Sequence, residues 1–367
     1  MRIHLISNMY PSDSAPNYGV FVQNTGKILV NAGMHVDRTV MFKHNGKLRK
    51  LVSYIRYYAE ILFKGLSNTY DVTYVHYASH NAIPLLLLKT LKKQTIIYTN
   101  VHGSDVVPEV PSQEKYQNLV KKLLMASNII ITPSHYYRDL VKSKYEISNQ
   151  IEVFPSGGIN PAIFYDNGDQ QETKKKLNLD LGKKYIGFVG RLDVGKGWDV
   201  LLDAFHSLNQ DGIVDDLSLL VVGDGKERPQ FEAKVEKYGL SDKIVHYPLL
   251  PQEKLNLIYN AIDVFCFPTT RKGESLGLVG LEAMACGAPI IGSSIGGLLD
   301  YIKDGENGYL FQPGASEELS ASLEKFFVLS SSEREQLGIH AKQTAEDYEV
   351  ETIKQKLIDI FERPSTK

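Results

Sequence analysis

Two glutamates, Glu274 and Glu282, stand eight residues apart in the stretch 268–289, PTTRKGESLGLVGLEAMACGAP. On one helix they would be about 12 Å apart, at roughly 1.5 Å rise per residue. A sugar nucleotide is about that long, so one carboxylate could reach a sugar while the other reaches a ribose. The apolar run 264–267 ahead of them ends in a proline and a polar loop. Glu274 is therefore expected where a helix begins, with Ser275 as its N-cap. Such a helix start points free N–H groups and the positive end of a dipole into the loop, a place suited to a diphosphate. The plainer reading is a buried helix with a solvated glutamate at its start, and the flanking residues decide between the two.

A second group supplies cations. Residues 190–197 read Gly-Arg-Leu-Asp-Val-Gly-Lys-Gly. Their spacing matches the P-loop pattern G-x-x-x-x-G-K, but Gly197 follows where a Ser or Thr would hold Mg²⁺. A run over 219–223 before Asp224 mimics the second NTPase motif only loosely. The same residues can serve a phosphate without metal. Arg191 and Lys196 are fixed cations at the end of a strand-like run, beside three glycines that let the backbone come close. The bland alternative is a tight turn with two surface cations. No Asp-x-Asp triplet occurs, so leaving-group charge falls to Arg, Lys and helix N-termini. His102 follows the apolar run 96–99 and precedes Gly103. A histidine there is either a structural hydrogen-bonding residue or a group at the mouth of a site.

The elements that must position these residues alternate along the chain. In the first half, strand-like runs at 3–7, 36–41, 72–76, 95–99, 128–132 and 151–154 are separated by helical patterns. A polar stretch, 161–184, reads as a linker. Strands then recur at 185–189, 217–222, 244–247, 264–267, 289–292 and 308–311, and helices over 317–329, 332–346 and 350–362 close the chain. Short strands separated by helices indicate βαβ units and parallel sheets. The expected fold is α/β: two doubly wound Rossmann-like domains facing a central cleft, with ligands at the carboxyl ends of the strands. Domain 1–165 would bind the acceptor and 166–345 a nucleotide sugar. The helix 346–367 would pack back on the first domain.

With 367 residues, 43% hydrophobic and 23% charged, the chain has the composition of a soluble globular protein large enough for two domains. Cys266 and Cys286 lie in apolar surroundings, as reduced thiols of a cytoplasmic protein do. No apolar run reaches the length of a transmembrane helix. Residues 1–165 hold 18 Lys+Arg against 10 Asp+Glu, and 166–367 hold 23 against 33, giving +8 and −10. The segment 43–64 is basic, and Leu48, Leu51, Val52, Ile55, Tyr58, Ile61 and Leu62 recur on it at helical spacing. It reads either as a peripheral contact with an anionic membrane on the cytoplasmic face or as an amphipathic helix packed on its own sheet. No nucleic-acid partner is expected.

Taken together, these motifs resemble the retaining glycosyltransferases of the GT-B fold, family 4 (glycosyl transferases group 1). The resemblance rests on Gly190-Arg191-Leu192 with Lys196-Gly197, on Glu274-Ser-Leu-Gly-Leu with Glu282 and Gly287-Ala-Pro289, and on Gly296-Gly297, Asp300, Gly305 and Gly308. In the first half it rests on Tyr10-Pro11 with Gly19-Val-Phe-Val-Gln23, Val101-His102-Gly103 with Asp105, and Ser156-Gly157-Gly158-Ile159-Asn160 with Phe164. It spans nearly the whole chain.

The resemblance implies roles. Arg191 and Lys196 would clamp the donor diphosphate and take up leaving-group charge. Glu274 would bind hydroxyls of the transferred sugar and Glu282 those of the ribose. Backbone N–H groups of Ser275, Leu276, Gly277 and Leu278 would face the sugar and the distal phosphate. Gly19 would let the first loop approach the phosphates, and the backbone near Leu250 would read a uracil. His102 would lie beside the reacting carbon, stabilising or positioning rather than deprotonating, since the leaving phosphate takes the acceptor's proton in front-face attack. The first loop departs from the usual paired glycines by carrying Asn17-Tyr18-Gly19, and the hinge has Ser156-Gly157-Gly158 where Asn-Gly is usual. The implied activity is a retaining, metal-independent and cofactor-free transfer. The sugar, a hexose or N-acetylhexosamine, would move from a nucleotide sugar, a UDP-sugar by preference, to a glycan or lipid-linked acceptor in surface polysaccharide or glycoconjugate synthesis. Two alternatives stay open: a non-hydrolysing sugar-nucleotide epimerase, and a catalytically silent nucleotide-sugar-binding subunit supporting a partner transferase.

Overall fold

Strands such as Val72–His76 and Leu217–Val222 are buried along their whole length. Parallel sheets covered by helices on both faces require this, and the near-continuous apolar runs in the sequence follow from it. The computed structural model describes residues 1–363 except 16–17, 44–45, 68, 213 and 215. Asn17 of the first glycine loop, His44 and Asn45 of the basic segment, and 364–367 of the terminal segment lie outside the described residues.

The first sheet contains β1 (Arg2–Ser7), β2 (His35–Val40), β3 (Val72–His76), β4 (Ile97–Asn100), β5 (Ile129–Thr132) and β6 (Gln150–Val153). They are parallel, in the order β2-β1-β3-β4-β5-β6. The second contains β7 (Lys184–Val189), β8 (Leu217–Val222), β9 (Ile244–Tyr247), β10 (Val264–Phe267), β11 (Ile290–Ser293) and β12 (Gly308–Phe311). Its order is β12-β11-β10-β7-β8-β9, again parallel. Strand order reverses between β1 and β3 in one sheet and between β7 and β10 in the other. At such a reversal the connections leave in opposite directions and open a crevice at the strands' carboxyl ends.

Contacts divide the chain into two units, Met1–Gly157 with the segment from Ile353 onward, and Gly158–Thr352. The division therefore falls earlier than 165, and the terminal segment starts later than 346. The reason is that the stretch expected to be a solvated linker is packed. Ile159 and Phe164 are buried in the second unit's core. Residues Gln170–Lys176 form a helix, and Lys174 is almost fully buried, its Nζ donating to the Lys183 carbonyl at 2.9 Å. In the first unit, Phe361 of the helix Val350–Glu362 is buried against Tyr74 and Tyr98, with ring centroids 5.1 and 5.2 Å away. Among the described residues no helix is long and apolar enough to cross a membrane.

Candidate functional site

In the second unit two loops leave the strands that flank the reversal. One, residues 190–197, joins β7 to the helix Trp198–Asp211, and the other, 268–277, joins β10 to the helix Leu278–Ala285. They are bound to each other. The Thr270 N–H donates to the Gly195 carbonyl at 2.9 Å. Gly197 has φ 79°, and a Cβ there would lie 1.8 Å from the Pro268 carbonyl oxygen. No Ser or Thr fits, which gives the P-loop mismatch a physical cause.

This close approach brings Lys196 and Glu274 together. Lys196 Nζ donates to Glu274 Oε2 at 2.9 Å, and the Thr269 hydroxyl donates to the same oxygen at 3.2 Å. The side chains are 18% and 12% exposed. Burial alone would raise the Glu274 carboxyl, but the charges of Lys196 and Arg271 and the hydrogen bonds from Lys196 and Thr269 outweigh it, and the net shift is downward. Glu274 is thus a held carboxylate with a second oxygen, Oε1, as a further acceptor. Arg191 is arranged differently. It is largely exposed, and its Nη1 lies 2.7 Å from Asp193 Oδ2 on its own loop.

The helix carrying Glu282 does not start where the sequence suggests. It begins at Leu278, with Gly277 at the N-cap (φ 79°, ψ 55°) and no side-chain cap. Ser275 is not the N-cap, and Glu274 stands outside the helix, so the eight-residue helical rise between the glutamates does not apply. A neighbouring turn accounts for the shift. The Gly297 N–H, in the 3₁₀ helix Gly296–Asp300, donates to the Glu274 carbonyl at 3.1 Å. A Cβ on Gly297 would lie 2.1 Å from the Ser275 carbonyl oxygen. With Leu276 buried as well, residues 274–276 are held off the helix; in its first turn the Gly280 N–H donates to the Gly277 carbonyl at 2.9 Å, while the N–H groups of Leu278 and Val279 point out of the helix start.

Glu282 is buried within that helix and accepts from Tyr259 Oη at 3.1 Å. Burial pushes its carboxyl up to about 7, against the lowering effect of the tyrosine. The two glutamates therefore differ: one is a carboxylate fixed by a cation, the other a nearly dry carboxyl that gains charge only near neutrality. Leu250, just past β9, is half-buried against the second unit's core, while Leu249 beside it is exposed.

The first unit places its candidates after β1 and β4, the strands on either side of β3. Gly19 has φ 80°, and a Cβ there would lie 2.7 Å from the Met9 carbonyl carbon and oxygen. It starts the helix Val20–Asn31, whose Phe21 ring lies against His102, tilted by 44° at 4.6 Å between centroids. His102 Nε2 and His76 Nδ1 share a hydrogen bond of 2.9 Å. Burial pushes His102 down to about 3, and burial together with His102 pushes His76 well below its usual value. Both imidazoles are neutral, one donating and one accepting. The Asp105 carboxylate holds the loop, accepting from the N–H groups of His102, Gly103 and Ala78 at 3.0 Å each.

The structure thus joins Lys196 with Glu274, and sets Arg191 with Asp193, Glu282 with Tyr259, and His102 with His76. Sequence reasoning missed Thr269, Tyr259 and His76. Thr269 and His76 carried a signal, each being a polar residue where a buried apolar strand ends. Tyr259 had none, because nothing local says that a helical tyrosine faces a glutamate on the next helix.

With that geometry, residues 169–344 match the family described as glycosyl transferases group 1. The two parallel-sheet Rossmann-like domains make up the GT-B fold. Among solved structures, the sucrose-phosphate synthase of Thermosynechococcus elongatus superposes with a TM-score of 0.82 at 21% identity, covering 98% of both chains. Anabaena HepE in complex with UDP gives 0.77 at 15% identity, covering 98% of this chain and 99% of that one. Among relatives in sequence, a D-inositol 3-phosphate glycosyltransferase of Rhodococcus erythropolis is 31% identical over 204 residues, 54% of this chain and 46% of the relative. The N-acetyl-alpha-D-glucosaminyl L-malate synthase of Bacillus anthracis is 28% identical over 249 residues, 66% of this chain and 62% of the relative. The chain spans about half the length of the relatives it matches.

Proposed function

We propose that the protein is a retaining, metal-independent glycosyltransferase of family 4 that moves a hexose or N-acetylhexosamine from a UDP-sugar to a glycan or lipid-linked acceptor. The observation that carries this reading is the Lys196–Glu274 pair, held at the reversal of the second sheet. Its cation meets diphosphate charge, and its carboxylate accepts from sugar hydroxyls. Arg191 adds a second cation once its guanidinium turns from Asp193 to the phosphates. Glu282 accepts from the ribose diol, a contact that favours its charged form and so draws its pKa down when donor binds. N–H groups of Ser275, Leu276, Gly277 and Leu278 face the sugar and distal phosphate, Gly19 admits the backbone of the first loop, and the backbone at Leu250 reads the base. The choice of UDP is supported by the solved complexes of HepE with UDP and UDP-glucose.

In this scheme the phosphate–sugar bond breaks as the acceptor oxygen attacks the same face, and the leaving phosphate oxygen takes the acceptor's proton. Lys196 and Arg191 stabilise the charge that develops on the phosphate. No protein base is required, which agrees with a His102 held neutral and engaged by His76.

Turnover of a panel of UDP-sugars by the purified protein, with chelator present, tests the reading. Lys196→Ala, Glu274→Ala and His102→Ala are each expected to lose at least about tenfold, or about 1.4 kcal/mol in the transition state. Wild-type turnover in all three removes the assignment. Absence of donor hydrolysis and transfer across the panel, despite donor binding, would favour the silent-subunit alternative.

A further inference from the structure

The helix Lys47–Leu66 buries one face through Tyr57, Ile61 and Gly65. Tyr57 Oη donates to Asn81 Oδ1 and Tyr58 Oη to the His80 carbonyl, both at 2.8 Å, so the tyrosines belong to the core edge. The other face is apolar and open. Leu48, Leu51, Val52, Ile55 and Phe63 are 74, 58, 58, 62 and 82% exposed. At 3.6 residues per turn these side chains fall in one stripe about 120° wide along most of the helix. Most of the apolar residues that could have packed on the sheet point to solvent instead. A continuous apolar stripe of that length marks a docking surface.

Charge selects what docks. Lys47, Arg49 and Arg56 flank the stripe, and Glu60, the acidic residue of the helix, is paired with Lys64 at 2.7 Å. Beside the helix lies a cavity of about 370 Å³ whose lining includes Arg38, Ser53, Arg56 and the Lys64-paired Glu60, with half-exposed Phe42 at its edge. We propose that this helix lies in the plane of an anionic bilayer, the stripe entering the acyl boundary, the cations meeting lipid phosphates and the arginine cavity receiving one of them. A second copy of the chain would set like charges against each other. The proposal stands apart from the transfer reading, because vesicle binding is measured with no donor present.

The test is co-sedimentation of the full chain with phosphatidylcholine vesicles and with vesicles in which part of the lipid is phosphatidylglycerol of the same acyl chains. Binding to the anionic vesicles is expected to be at least about tenfold stronger and to weaken as salt rises. Leu51→Glu with Ile55→Glu is expected to abolish it. Lys47→Gln, Arg49→Gln and Arg56→Gln together are expected to reduce it at least about tenfold. All variants should keep the wild-type melting temperature, since the side chains replaced are exposed or half-buried at the surface. Equal recovery with both lipids, no recovery with either, or a concentration-dependent dimer that the Leu51/Ile55 variant breaks would each overturn the proposal.

Discussion

Removing Lys196 isolates the energetics of the pair at the centre of the site. At 2.9 Å, two unit charges attract by about 5–6 kcal/mol with an effective dielectric constant near 20. Desolvation offsets much of this. Breaking a fully buried pair costs about 3–5 kcal/mol, and the partial exposure of both side chains lowers the expected loss for Lys196→Ala to about 2–3 kcal/mol at neutral pH. Glu274→Gln costs less, because Lys196 can extend into water once its partner is neutral. The double variant should therefore be no worse than Lys196→Ala alone, and the cycle should give a coupling of about 2 kcal/mol. Urea denaturation of the four proteins measures it. The Glu274 carboxyl is held below its ordinary value of 4.5, so the pair stabilises above that pH and its contribution disappears as pH falls through the folded value. The coupling should shrink accordingly in acid. Additivity of the two substitutions within about 0.5 kcal/mol at neutral pH would refute the reasoning.

Glu282 has the opposite sign. Its folded pKa is raised to about 7, so the unfolded chain gives up this proton first and stability falls as pH rises from about 4.5 to 7. Glu282→Gln should stabilise the free protein by up to about 3 kcal/mol above pH 7 and by nothing near pH 4, while weakening donor binding; thermal melts against pH and donor titration read the two effects. Gly297→Ala places a Cβ against the Ser275 carbonyl and should lower both stability and donor turnover. Gly305→Ala, whose Cβ meets nothing within 4 Å, should cost only about 1–2 kcal/mol for its positive φ and leave turnover unchanged.

The alternation of apolar runs and helical patterns made both parallel sheets legible, because burial on both faces leaves a signal within each strand. The order of strands was not legible, since it depends on which edges pair. Gly190–Gly197 and the Glu274–Glu282 stretch stood out as candidate site residues, yet the side chains they pair with did not. The start of the helix at Leu278 is imposed by the Gly296–Gly297 turn pressing on residues 274–276, a long-range contact that overrides a good local N-cap. In the same way 161–184 reads as solvated by composition, whereas Phe164 and Lys174 are buried by the unit they join. The apolar side chains of 47–66 were visible as a stripe, but only their exposure decides that the sheet does not use them.

The return of the last helix to the first unit bears on biosynthesis. Tyr74 and Tyr98 are covered by Phe361, a residue made after the whole of the second unit. During translation the first sheet can form early, but this part of its core waits uncovered until the second unit has left the ribosome. The completed first unit thus reports that the second unit has already been made.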